Sequence, residues 1–458
     1  MKMMLSLAQS LLGALLLAGG SSAAPPNHWR RAAMSSTPLP PSQDPWYTAP
    51  DNFESAAPGT VLRVRAAPGN LTASIANASA AYNILYRTTN SRYLPDWAVT
   101  TLFVPESPLC SDSSSWNTSS NSTAPGGATA LLSYQIPYDS AAVDASPSYA
   151  LYAEGATGTD DIAASLGYGW YVSVPDYEGP LASFTAGVQS GHATIDAVRA
   201  VLSSGFGLAD SPDVQYAMWG YSGGALASEW AAELQVQYAP ELNFAGAALG
   251  GLTPNITTVM QACSGKLCAG LTPPGIIGLA SQFPDVLEYI ISQLKTDGPM
   301  NATGFLSVQT EGLAQTSRMF AFQNVTDYFI DGEGIFESPL VRKIMDSDGQ
   351  MGYHGVPQMP LYVYKAVHDE VSPIKDTDDL VNRYCKVDAT IQYERLTVGG
   401  HSAGAVNGEA SAFQFLAQVL GGTYTPPEQG CSITDVAYNV TSSPMKRRSG
   451  LAYISNMF

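Results

Sequence analysis

The sequence predicts an α/β fold, a mostly parallel sheet with helices on both faces and a largely helical insertion. Three observations predict it. Short apolar runs alternate with segments of helical periodicity on both sides of a long interruption. One run passes through Gly220-Tyr221-Ser222-Gly223-Gly224 straight into a segment carrying Leu226, Trp230, Leu234 and Tyr238 four apart, as a helix requires. Between about Asn255 and Leu340 the rhythm breaks, leaving helical patches, Pro284–Leu294 and Gly304–Phe320 among them, and no clear strand.

From the N-terminus, Lys2 precedes an apolar stretch from Met3 to Ala18, followed by Ser21-Ser22-Ala23-Ala24. A charged start, an apolar centre and a small-residue cleavage site make residues 1–23 a signal peptide. The apolar run is short for spanning a bilayer, and no later stretch is long enough. The protein is therefore expected to be secreted and extracellular. Residues 24–44, rich in Pro and Ser, are expected to be poorly ordered, with Arg30-Arg31 a candidate processing site. The remainder divides into a first core part (45–254), a helical cap (255–343), and a second core part with the C-terminal tail (344–458).

The strand patterns follow in order. Val61–Arg65, Ala81–Thr88 and Trp97–Val104 come first, then a Ser/Asn/Thr-rich loop over Cys110–Gly127. Ala128–Tyr134 reads as a buried strand that ends at Tyr138-Asp139-Ser140. Tyr168–Val174 is another, leading to Pro175-Asp176-Tyr177-Glu178-Gly179, and Gly191–Leu202 is helical. Phe244–Leu249 is a strand of small residues. Beyond the insertion, Met359–Ala366 and Thr390–Val398 are strands, and Lys375–Tyr384 and Glu409–Leu420 are helices.

Composition excludes some partners. The formal net charge is −18 with only 13% charged residues, and the pI is near 4.5. Such a surface repels nucleic acid and anionic membranes. Eight N-x-S/T sequons, at Asn70, Asn77, Asn117, Asn121, Asn255, Asn301, Asn324 and Asn439, are candidate glycosylation sites. The five cysteines would enter an oxidising compartment. Cys385–Cys431 is the preferred bridge because it would pin the tail beyond the last helix. Cys263–Cys268 is a second candidate, which leaves Cys110 over. No further close Cys or His pair accompanies Cys263 and Cys268, so no metal site is expected.

The chemistry centres on Ser222. A serine on a tight strand-to-helix turn needs small neighbours two residues to either side, and its hydroxyl then projects clear of the sheet. The helix that follows points its positive end at the same place. A hydroxyl is a poor nucleophile until a base removes its proton and an acid orients the base. In a sheet of this kind the order is serine, acid, histidine. That order eliminates His28 and His192. His354 follows no strand, whereas His368 and His401 follow strand ends. Only His401 leaves room for a strand-end acid before it, and Asp369 stands 32 positions earlier. Glu370, Asp376, Asp378 and Asp379 are competing acids nearby. Gly400-His401-Ser402-Ala403-Gly404 also matches G-x-S-x-G, but no histidine follows Ser402 to serve it. For an oxyanion, the amide of Gly223 is the first donor, and the Tyr138-Asp139-Ser140 loop is placed to give the second.

Taken together, these residues resemble the fungal secretory lipase family of lipase A type. The likeness rests on Tyr138-Asp139-Ser140 with Pro147-Ser148-Tyr149, on Pro175-Asp176-Tyr177-Glu178-Gly179, and on Gly220-Tyr221-Ser222-Gly223-Gly224. Tyr238-Ala239-Pro240-Glu241-Leu242, His368-Asp369-Glu370-Val371 with Pro373, and His401 continue it. The resemblance implies an α/β-hydrolase core, a helical cap and no cofactor. It implies Ser222 as nucleophile, Asp369 as acid, His401 as base, and Asp139 with Gly223 as the oxyanion hole. An aspartate there would act through its backbone amide or as a carboxyl kept protonated by burial. The chain departs from the family at Ala145, where relatives carry a cysteine bridged to the cap.

The expected function is that of a secreted serine ester hydrolase, a lipase cleaving acylglycerols at a lipid–water interface as a monomer. The alternatives are an esterase or acyltransferase for small esters, and a catalytically inactive binding protein of the same fold.

Overall fold

Ten strands form one sheet in the order β1-β2-β3-β5-β4-β6-β7-β8-β9-β10. They are β1 Val61–Ala66, β2 Ala78–Thr89, β3 Pro95–Pro105, β4 Ala130–Gln135, β5 Tyr171–Pro175, β6 Gln215–Tyr221, β7 Gly246–Gly250, β8 Leu361–Ala366, β9 Ile391–Leu396 and β10 Cys431–Val436. The structure is a computed structural model that describes residues 37–106, 130–206, 208 and 214–439. The signal peptide, Arg30-Arg31, Cys110, and the sequons at Asn117 and Asn121 lie outside the described residues.

From β5 to β10 every pairing is parallel, while β1, β2, β3 and β5 pair antiparallel. The period-2 alternation of each strand divides its side chains between two cores. In β6, Tyr216 and Met218 enter one core, which holds the helices Gly187–Ser203 and Gly223–Tyr238. Ala217, Trp219 and Tyr221 enter the other, against the helix His401–Leu420. In β8, Leu361 and Val363 face the first core and Tyr362 and Tyr364 the second. After β4 the chain steps to one side to make β5, then returns to the other side to make β6. The loops after β4 and β6 therefore diverge, and a crevice opens between them at the C-terminal edge.

Between β7 and β8 the chain is helical, from Ile256–Cys263 through Thr272–Ser281, Pro284–Ser292 and Leu313–Phe320 to Pro339–Asp348. That last helix runs across residue 343, where the sequence placed the end of the insertion. The expected helix over Gly304–Phe320 is broken into Ala302–Leu306, a turn at Ser307–Gln309, and Leu313–Phe320. Gly312, extended at φ −76° and ψ 170°, restarts the helix there. The segment expected to be poorly ordered as far as residue 44 is instead tied down from Ser42. Ser42 donates from its amide and hydroxyl to Asp144 at 2.8 and 2.7 Å, and Asp44 pairs with Arg65 at 2.6 Å.

The strand missed from sequence is β10, which pairs parallel with β9. Its burial is slight, so it lacks the apolar signature of an inner strand. A disulfide supplies what packing does not: Cys385, at the end of the helix Ile374–Cys385, is bonded to Cys431 at the start of β10. A second disulfide joins Cys263 to Cys268, both buried beside Phe184, Leu271 and Val371. Converting Cys385 and Cys431 to serine frees a loop of 46 residues. The expected loss, from unfolded-chain entropy, is about 4 kcal/mol in denaturant titration. A loss below about 1 kcal/mol would mean that β10 docks without the bond.

Of the described sequons, Asn70, Asn77 and Asn439 are exposed, while Asn255, Asn301 and Asn324 are half-buried. The Oδ1 atoms of these three accept from Thr257 N, Gly304 N and Ser264 Oγ.

Candidate active site

Strand β6 delivers Ser222 into the crevice. Its backbone lies at φ 54° and ψ −120°, a region that residues with a Cβ rarely occupy. Neighbouring packing enforces it. A Cβ on Gly220 would strike the Gly224 carbonyl, and a Cβ on Gly224 would strike that of Gln135. The Ser222 amide is anchored to the Gly250 carbonyl of β7 at 2.9 Å. The helix Gly223–Tyr238 starts at once behind it.

His401 comes from β9 by way of Gly399, at φ 85°. The sequence placed it in a loop, with a helix from Glu409. The structure instead makes it the first residue of the helix His401–Leu420. Gly404 and Gly408 weaken helical propensity in that stretch, but packing requires them. A Cβ at 404 would lie 2.9 Å from the Tyr221 hydroxyl, and one at 408 would run into the Tyr364 ring. The backbone of His401 is held at both ends: its amide donates to Glu370 Oε2 at 2.9 Å, and its carbonyl accepts from the Tyr221 hydroxyl.

The structure brings the three residues together. The Ser222 hydroxyl lies 2.9 Å from His401 Nε2, and His401 Nδ1 lies 2.7 Å from Asp369 Oδ2. The other Asp369 oxygen accepts from the amides of Val371 (2.9 Å) and Ser372 (2.8 Å). Burial alone would raise this carboxyl. The His401 ring and the Lys365 ammonium, with hydrogen bonds, overcome that and hold it well below the usual carboxylate range.

Lys365 was missed from sequence. Its side chain is fully buried, 2.9 Å from Asp369 Oδ2, and donates to the Leu252 carbonyl at 2.7 Å. The signal was a lone charge in the strand Met359–Ala366, four residues before the acid. The competing acids are engaged elsewhere. Glu370 holds the His401 amide, Asp376 accepts from Thr258, Asp378 pairs with Arg395, and Asp379 pairs with Lys375. His192 is buried against Tyr238, His354 sits 3.5 Å from Glu233, and His368 is exposed.

Asp139 follows β4 at φ 44° with its carboxyl packed against Gly223, so that a Cβ on Gly223 would collide with Oδ1. Oδ1 is buried without a hydrogen-bond partner. Burial raises this carboxyl to about 7, opposed by His401. Below that pH it is a neutral donor beside the first amide of a helix, a place suited to a developing negative charge.

A cavity of about 50 Å³ opens from Ser222, Gly223 and Asp139 into the helical insertion. Its walls are mostly apolar, among them Leu226, Ile256, Ile276, Ile290, Ile344 and Val371. Among the described residues, no group of three or more His, Cys, Asp or Glu is arranged to hold a metal ion, and no helix is long and apolar enough to cross a membrane. The site is equipped for acyl transfer to a serine oxygen.

Known proteins resemble this chain over most of its length. Residues 155–426 match the secretory lipase family. The chain is 51% identical over 420 residues to the trichothecene C-3 esterase of Fusarium sporotrichioides, covering 91% of this chain and 92% of the relative. It is 36% identical to Lipase A of Arthroderma benhamiae over 87% of this chain and 83% of that one. Among solved structures, Candida antarctica lipase A in its closed state superposes with a TM-score of 0.76 at 26% identity, covering 92% of this chain and 95% of that chain. An α/β-hydrolase fold and a site suited to ester hydrolysis agree with these matches, and the chain belongs to the secretory lipase family of serine ester hydrolases.

Proposed function

We propose that this extracellular enzyme removes short acyl groups from bulky apolar alcohols, a trichothecene ester being the model substrate. Ser222 Oγ attacks the ester carbonyl as His401 Nε2 takes its proton. The Gly223 amide and the neutral Asp139 carboxyl receive the oxyanion. As the tetrahedral intermediate collapses, His401 returns the proton to the departing alcohol. A water deprotonated by the same ring then releases the acid. Asp369 keeps Nδ1–H pointed toward itself and stabilises the imidazolium, while Lys365 fixes Asp369.

The size of the cavity beside Ser222 carries the choice of acyl group. An apolar cavity of about 150 Å³ holds one benzene. The 50 Å³ here takes an acetyl-sized group without moving a wall. The 51% identical relative, named an esterase of a trichothecene, supports the choice of alcohol. A panel of p-nitrophenyl esters tests it. kcat/KM is expected to fall at least about tenfold from acetate to octanoate. A rise with chain length would overturn the short-acyl reading.

A second reading, hydrolysis of triacylglycerols, is favoured by the surface of the insertion. Leu267, Ile291, Phe322, Ile330 and Leu340 are exposed there, with Phe322 at 69% and Ile330 at 65%. Such apolar groups suit a lipid surface. Turnover of emulsified long-chain triacylglycerol faster than of soluble acetates would decide for it.

A further inference from the structure

Asp139 holds its carboxyl against Gly223 from an unfavourable backbone. Its φ of 44° lies in the left-handed region, which a residue with a Cβ keeps only where its surroundings over-determine it. Asp139 Oδ1 makes no hydrogen bond in the protein, so that oxygen does not fix the residue. The constraint comes from the loop after β5, Asp176-Tyr177-Glu178. Tyr177 donates from its hydroxyl to the Ile136 carbonyl at 2.9 Å. The Glu178 amide donates to the Tyr138 hydroxyl at 2.8 Å. The two tyrosine rings pack on each other with centroids 4.9 Å apart.

The clasp has a firm base. The Asp176 amide donates to the Val99 carbonyl of β3 at 2.8 Å. Its carboxyl accepts from the amide and hydroxyl of Ser148 at 2.8 and 2.5 Å. The Glu178 carbonyl accepts from the Ser183 amide at 2.8 Å. On the other side of Asp139, the Ser140 hydroxyl accepts from the Ala142 amide at 3.1 Å and donates to the Glu311 carbonyl at 3.3 Å. The loop is thus held before Asp139 by two tyrosines and after it by a serine. Tyr138 and Tyr177 are buried, and neither lines the cavity beside Ser222. They act on the reaction through the loop, without touching substrate.

We infer that Tyr138 and Tyr177 are positioning residues of the oxyanion hole, their hydroxyls fixing the backbone that holds the Asp139 carboxyl against Gly223. This inference rests on the reading of Asp139 as an oxyanion donor. A donor fixed in advance where charge develops needs no reorganisation at the moment of reaction. Buried tyrosine hydroxyls find partners in most proteins. These two are set apart by where their bonds fall, at the residue before Asp139 and at the carbonyl three residues before it.

The experiment measures kcat and KM on p-nitrophenyl acetate and the inhibition constant of trifluoroacetone. It uses the wild type, Tyr138→Phe, Tyr177→Phe, Asp139→Ala and the Tyr177→Phe/Asp139→Ala double variant. Ser222 Oγ adds to the ketone carbon and its proton passes to His401, which leaves a lasting oxyanion in place of the transient one. Each tyrosine variant is expected to lower kcat about tenfold and change KM less than about threefold, with inhibitor affinity falling in parallel. In the Asp139→Ala background, Tyr177→Phe is expected to add less than about twofold. The two tyrosine variants break different bonds, so each tests the inference alone. A lowered melting temperature with kcat and inhibitor affinity intact would mark the hydroxyls as structural and overturn it. An equal loss from Tyr177→Phe with and without the Asp139 side chain would overturn it too, leaving the oxyanion reading in place. Unchanged kcat and inhibitor affinity in Asp139→Ala itself would remove both.

Discussion

Ser222→Ala is expected to lower kcat by about 10⁴- to 10⁶-fold while leaving the melting temperature unchanged or slightly raised. The two halves of this expectation have separate causes. The serine hydroxyl meets His401 Nε2 at 2.9 Å, and without that oxygen no acyl-enzyme forms. What survives comes from the oxyanion donors and substrate binding, which still act on water-driven hydrolysis. His401→Ala in the same background should add little, because the residues work as one unit. Stability is preserved because the position serves chemistry at a cost in backbone energy. A residue at φ 54° and ψ −120° is strained by about 1–3 kcal/mol. Alanine retains that strain and removes a polar atom from a site that is 7% exposed. Hydrolysis of p-nitrophenyl acetate together with a thermal melt checks both halves. Residual activity above about 1% of wild type would show that another group carries the reaction.

The second large effect concerns pH. Stability is expected to be greatest near pH 4–5 and to fall as the solution becomes neutral, with the melting temperature dropping by at least about 5 °C by pH 8. Five buried aspartates drive it. Burial pushes Asp139 and Asp176 up to about 7, and Asp96, Asp196 and Asp348 up to about 6. In the unfolded chain each titrates near 3.9. Between those values the folded protein binds more protons than the unfolded one, so stability declines as pH rises through the window. Glu178, buried among other carboxyls, is raised well above its usual value and acts in the same direction. His192 opposes the trend. Burial lowers it to about 3, so the unfolded chain takes up its proton first and stability falls as pH drops below about 6.5. One histidine is outnumbered by five aspartates above pH 4. Asp369, held low in the fold, costs stability only when pH falls below the unfolded carboxylate value of about 3.9. A melting temperature that rises steadily from pH 4 to pH 8 would contradict this balance of buried acids.

Much of the fold was legible because local patterns and tertiary roles agreed. The strand leading into Ser222, the helix behind it and the helical character of 255–340 each follow from periodicity and turn chemistry. Where the two disagreed, the sequence misled. Gly404, Asn407 and Gly408 read as loop, yet close packing on Tyr221 and Tyr364 makes them helix. β10 has the slight burial of a surface segment, and its place in the sheet comes from β9 and the Cys385–Cys431 bond. Thr310-Glu311-Gly312 interrupts a pattern that periodicity alone would continue.

Chain order and residue type by themselves determined the kind of chemistry, since only one serine stands on a strand-to-helix glycine turn with an acid and a histidine after it. The tertiary structure decided which acid faces His401, that a buried lysine braces it, and that Asp139 sits against Gly223 in a dry site. It also set the small volume beside the nucleophile. The physical reason is range. Propensity and turn geometry act over a few residues, whereas desolvation, ion pairing and cavity size depend on which distant segments the sheet brings within a few ångströms.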